Sequence, residues 1–176
     1  VMLDFNRSMD PIYAEGHAYQ EGEIAPLRIY RFVGPGYFKT LGTTLLAGRD
    51  LEWADLLNRR KVVLITENLA RELWDDPAAA IGKRIRENPQ GAWREIIGVM
   101  ADEHGNGLDQ PAPATVYWPM LVEEIWNEEV QVRRSAKFTI RSERAGQESF
   151  LKEIRAAIWS VNNNLPVSGE ETLGFL

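Results

Sequence analysis

The sequence predicts an α+β fold of short strands and two or three helices, and three stretches carry that reading. Val62-Val63-Leu64-Ile65 is a continuous apolar, largely β-branched run, the pattern of a strand buried on both faces. Arms at 83–87 and 93–100 flank Asn88-Pro89-Gln90-Gly91, a turn sequence, so a hairpin is expected there. From Gln147 to Trp159, Phe150, Ile154 and Ile158 recur every four residues with Leu151 and Ala157 beside them. Glu148 also precedes Lys152 by one helical turn, so this stretch is an amphipathic helix.

The other elements follow in chain order. Pro11, Gly16, Gly22 and Pro26 punctuate residues 1–26, which read as extended loop with short strands. Leu27 to Val33 alternates apolar and polar residues as a half-buried strand does. Gly34-Pro35-Gly36 ends it and opens a short helix carrying Tyr37, Phe38 and Leu41, closed by Gly42. Thr66 is placed to N-cap a helix from Glu67 to Trp74, with Leu69 and Leu73 on one face and Asp76-Pro77 as the stop. Residues 101–114 form a Gly/Pro/Asp/Asn loop, and Thr115 to Trp118 is a short strand halted by Pro119. Lys137 to Arg141 reads as another strand, and Asn162-Asn163-Asn164 with Pro166 as the end of the long helix. The expected core gathers Tyr37, Phe38, Val63, Ile65, Ile97, Phe150 and Ile154, with Trp93 and Trp159 on element faces.

The 176 residues suit one domain, or two small subdomains sharing a core. With 44% hydrophobic and 26% charged residues the composition is that of an ordinary globular protein. A net charge of −6 argues against nucleic-acid binding, which needs a basic surface. The absence of cysteine excludes disulfides, thiolate metal sites and cysteine nucleophiles. No apolar run reaches the roughly 20 residues of a membrane span, and no signal peptide is visible. The chain starts at Val1 in sequence that reads as mature protein, so a fragment of something longer is expected.

Candidate chemistry is sparse. Asp102-Glu103-His104, with Asp109 close by, is the cluster with catalytic residue types; it is either a solvated loop or a metal or general-base site. With two histidines in the chain, His17 and His104, a full ligand set is not apparent. Gly34, Gly36 and Gly42 lack P-loop spacing, and Gly82-Lys83-Arg84 lacks the hydroxyl residue that a phosphate loop ends on. Ser135, Ser149 and Ser160 have no nucleophile-elbow context. Arg49-Asp50 reads as a turn held by a local ion pair, or as a functional pair. Leu121, Val122, Ile125 and Trp126 fall at helical spacing among Glu123, Glu124, Glu128 and Glu129: an apolar stripe with an acidic back that either covers the domain's own core or meets a partner.

Several segments in order carry a family resemblance: Val33-Gly34-Pro35-Gly36-Tyr37-Phe38-Lys39-Thr40-Leu41-Gly42, Leu45-Leu46-Ala47-Gly48-Arg49-Asp50 with Asp55 behind it, and Val62 to Ala70. Ile81-Gly82-Lys83-Arg84-Ile85, Glu95-Ile96-Ile97-Gly98-Val99 and Thr115-Val116-Tyr117-Trp118-Pro119 continue the series, and Asn164-Leu165-Pro166-Val167 fits the tail. Together they resemble the MacB-like periplasmic core domain of FtsX-like ABC-transporter permeases. The link from Asp76 to Ile81 is longer than the family's usual one, the segment from Leu121 to Arg134 matches nothing in it, and the strand and helix that the family places before position 1 are missing.

The resemblance implies a porter-like α/β subdomain built from both chain ends, here 1–26 plus 121–176 and truncated at the N-terminus, with an inserted strand-rich, Sabre-like subdomain at 27–120. It implies a position outside the cytoplasmic membrane, as part of an integral permease that is dimeric or pseudo-dimeric. ATP would be hydrolysed by a separate cytoplasmic ATPase subunit or domain. A periplasmic adaptor, a lipoprotein or a wall enzyme would be the partner. The domain would carry no catalytic residue, cofactor or metal of its own, would bind no nucleic acid, and would transmit motion between subdomains joined near Leu27 and Leu121. Two other readings of the residues stand beside this one: a freestanding extracytoplasmic ligand-binding or sensor module, and a hydrolase using His104 with Asp102 or Asp109.

Overall fold

The computed structural model describes residues 8–104, 109–125, 128–130 and 135–169. The chain divides into two compact units, residues 6–137 and residues 1–5 with 138–176.

The larger unit is a mixed sheet. Its strands are β1 (Met9–Pro11), β2 (Tyr13–Ala14), β3 (Leu27–Val33), β4 (Leu45–Gly48), β5 (Val62–Thr66), β6 (Arg84–Arg86), β7 (Arg94–Met100) and β8 (Thr115–Pro119). The order across the sheet is β1-β3-β8-β5-β7-β6-β2, with β4 also on β7. β3 runs parallel to β8 and β5 parallel to β7; the other pairs are antiparallel. Strands β9 (Glu123–Ile125) and β10 (Glu128–Val130) pair antiparallel with each other as a second, two-stranded sheet. Helices α1 (Tyr37–Leu41), α2 (Trp53–Leu57) and α3 (Glu67–Trp74) and a 3₁₀ turn at Pro77–Ala80 connect the strands.

All of β5 is buried, as its unbroken apolar run requires. Side chains alternate between the sheet's faces, so the strand feeds two cores. Val63 and Ile65 pack with Ile96, Val116, Trp118 and, from α3, Leu69 and Ala70. Val62 and Leu64 pack on the other side with Phe38 of α1, Leu51, Ile97, Met100 and Tyr117. A register shift between β5 and β7 at Val63/Leu64 skips Ile97. This bulge lets Ile96 and Val99 share one core although three positions separate them.

β4 reaches β7 through glycine. Gly48 stands opposite Gly98 in the ladder. A Cβ on Gly48 would lie 2.2 Å from the Ile97 carbonyl oxygen, and one on Gly98 would lie 2.3 Å from that of Arg49. Neither obstacle is a flexible side chain, so the backbones come this close only because both positions lack a Cβ.

The structure corrects several expectations. Thr66 does precede α3, but its side chain makes no cap bond to the helix; its hydroxyl donates to Asn68 Oδ1 and accepts from the Thr115 amide. Lys137 to Arg141 joins no strand pair among the described residues, and Phe138 is 75% exposed. Alternation alone does not make a strand where no ladder supplies its hydrogen bonds. In the smaller unit α4 (Glu148–Val161) forms where its periodicity predicts and ends at Asn162, yet it has no fully buried residue. Phe150 and Ile154 are therefore half-buried and not core, and Trp159 is 45% exposed. Trp93 is likewise only partly buried.

Gly48→Ala and Gly98→Ala should each destabilise the domain by roughly 2–4 kcal/mol in urea denaturation, a backbone-clash cost. Gly82→Ala is the control: its φ is +79° but nothing lies within 4 Å of the added Cβ. It should cost only the left-handed penalty of about 1–2 kcal/mol.

Candidate functional site

Three of the places singled out in the sequence have defined surroundings, and each ties elements of the larger unit together. At the first, Arg49 pairs with Asp55 and not with the adjacent Asp50. Its Nη1 and Nη2 reach Asp55 Oδ2 at 2.6 Å and Oδ1 at 2.9 Å. Arg60 Nη1 adds a third donor to Oδ1 at 3.2 Å, and the Glu52 amide a fourth to Oδ2 at 3.0 Å. Asp55 is also the reciprocal residue of a capping box with Glu52, so one buried carboxylate fixes the start of α2. Meanwhile the Arg49 amide donates to Ile97 of β7 at 2.8 Å, and Asp50 accepts from the Leu51 amide at 2.6 Å. The Arg49 hydrogen bonds, opposed by burial and helped by the Glu52 amide and Arg60, hold the Asp55 carboxyl down at about 2. Such an arrangement orients a turn; every acceptor site on the carboxylate is already turned to a neighbour.

The second place is Asp102-Glu103-His104, just past the end of β7. Asp102 Oδ1 accepts from the Asn68 amide at 3.0 Å and so supplies from a distant position the cap that Thr66 does not. Asn68 Nδ2 in turn donates to the Ala112 carbonyl at 2.7 Å. Glu103 accepts from Arg31 of β3 at 2.9 Å and from the Thr43 hydroxyl at 2.8 Å. Burial first, and the Glu103 charge second, push the Tyr37 and Tyr117 hydroxyls up, so both stay protonated. His104 is exposed, with Nδ1 3.2 Å from the Gln110 carbonyl. No group of three or more His, Asp or Glu residues able to hold a metal occurs among the described residues. The two carboxylates are thus engaged as a helix cap and as a clamp between β3 and the segment after α1.

The third place is the apolar stripe from Leu121. Glu123–Ile125 is a strand and not a turn of helix, paired with β10. Arg94 Nη2, from beneath, donates to the Glu123 carbonyl at 2.5 Å, and Arg59 pairs with the Glu123 side chain. Those long-range bonds outweigh a local helical spacing only a few residues long. Val122 is 4% exposed and Ile125 0%, both within the α3-side core, whereas Leu121 is 47% exposed. Trp126 lies outside the described residues.

Sequence reasoning missed one further arrangement. The Arg86 guanidinium lies 4.2 Å from the Trp93 ring centroid, and that of Arg84 lies 5.9 Å from it. The hairpin signal contained it: in the β6–β7 register Ile85 faces Arg94, which puts Trp93 across from Arg86.

Asp55 contributes stability because its folded pKa lies below the unfolded value of 3.8, reaching about 2. That contribution is complete above the unfolded value and lost as pH falls through the folded one. Denaturation series from pH 5 to pH 1.5 should therefore show a loss of about 2 kcal/mol assignable to this group. In Asp55→Asn that pH-dependent component should vanish and stability at pH 7 should fall. Asp102→Ala should cost about 1 kcal/mol, as loss of a cap does, and should speed hydrogen exchange of the Asn68 amide above that of the β5 amides.

Known proteins place this arrangement. The family model for the MacB-like periplasmic core domain matches residues 4–157. The periplasmic region of MacB from Actinobacillus actinomycetemcomitans is similar at 17% identity, with a TM-score of 0.55 over 88% of this chain and 63% of that one. A domain of a putative permease protein from Porphyromonas gingivalis gives 20% identity and a TM-score of 0.49 over 87% of this chain and 60% of that one. The extracellular domain of the noncanonic ABC-type transporter YknZ from Gram-positive bacteria gives 18% and 0.43 over 64% and 52%. The chain therefore spans less than two thirds of these structures. No curated protein sequence matches it. No described helix is long and apolar enough to cross a membrane. With a family match over most of its length and the mixed sheet of the MacB fold, the chain belongs to the MacB-like periplasmic core domains, the extracytoplasmic domains of ABC-transporter permeases.

Proposed function

We propose that this domain docks a partner or substrate outside the membrane and passes on conformational change driven by ATP hydrolysis in a cytoplasmic ATPase subunit or domain. It does no chemistry itself. The family match over residues 4–157 carries the reading. The engagement of the sequence's catalytic-type residues supports it: Asp102 caps a helix, Glu103 clamps β3, and Asp55 locks α2. These contacts make the larger unit suited to move as one body, as transmission of motion requires. In the whole permease the porter-like part would draw on both chain ends and the sheet-rich part would be the Sabre-like insert. Of the described residues of the apolar stripe, Leu121 is exposed where Val122 and Ile125 are buried, and it would be the one to meet a partner. An adaptor, a lipoprotein or a wall enzyme would be that partner, on a dimeric or pseudo-dimeric permease.

Among the described residues the sensor reading gains no comparable support: the void lined there by Ile12, Pro26, Arg28, Leu69, Glu72 and Leu73 measures about 10 Å³, room for a single water. Small-molecule sites run to roughly 300–1,000 Å³.

The chain has no cysteine, so a single introduced thiol reports without background. Asp109→Cys, on the exposed loop before β8, should react with a membrane-impermeant maleimide in intact spheroplasts making the full-length protein, and the labelled protein should sediment with membranes. Labelling only after lysis, or recovery in the soluble fraction, would overturn the reading.

A further inference from the structure

We draw no further inference here: the strongest candidate, the exposed apolar surface that Trp53 and Leu57 present one turn apart on α2, carries nothing because nothing among the described residues shows what covers it, and the arginines nearby in sequence, Arg49, Arg59 and Arg60, are already paired with Asp55 and Glu123.

Discussion

Strand β7 is paired on both edges, and the space available at one point on it governs the larger unit. β5 runs along one side; on the other, β6 takes the first residues and β4 the last. For β4 to lie there, two backbones must approach at Gly48 and Gly98 more closely than any side chain permits. That approach brings Arg49 to the Ile97 carbonyl, and from there its guanidinium reaches Asp55 and sets the start of α2. The end of β7 leads directly into Asp102 and Glu103, which fasten α3 and β3. Sheet, helix caps and ion pairs thus share one origin.

Much of this was legible in the sequence where local pattern and tertiary demand agree. The apolar run at Val62–Ile65, the hairpin around Asn88–Gly91 and the helix after Gln147 all formed where their residues placed them. The illegible parts depend on partners far along the chain. Thr66 looked like a cap, but the acceptor for Asn68 came from Asp102, which sequence proximity cannot reveal. Leu121 to Ile125 had helical spacing, but the Arg94 and Arg59 bonds to Glu123 made it a strand. Arg49-Asp50 looked like a local pair, whereas the buried acceptor was Asp55. The family resemblance carries what periodicity cannot, since its motif joins Gly48-Arg49-Asp50 to Asp55, the residues that meet in the fold.

The polar groups of the candidate sites also explain why a domain rich in acidic residues need not be reactive. A carboxylate becomes a general base or a metal ligand when its lone pairs are available and its pKa is tuned toward the working pH. Asp55 is tuned the other way, and its lone pairs are taken by arginines and an amide. The Tyr37 and Tyr117 hydroxyls are held protonated beside Glu103. Charge here is used to fix geometry, in keeping with a family whose members are transporter parts and not a known group of enzymes.

The parallel pairing of β3 with β8 sets the timing of assembly. Ile29 meets Thr115 and Val33 meets Pro119, a separation of 86 residues in each case, so this contact closes a long loop and belongs to the slow, non-local class. At roughly 5–20 residues per second of synthesis, β3 waits several seconds for its neighbour. During that interval its inner edge is open, and β1, three residues long and ending in Pro11, covers only the other side. A nascent chain of this kind is most exposed to mispairing just before residue 115 emerges, and any factor that shields extended segments would matter most at that moment.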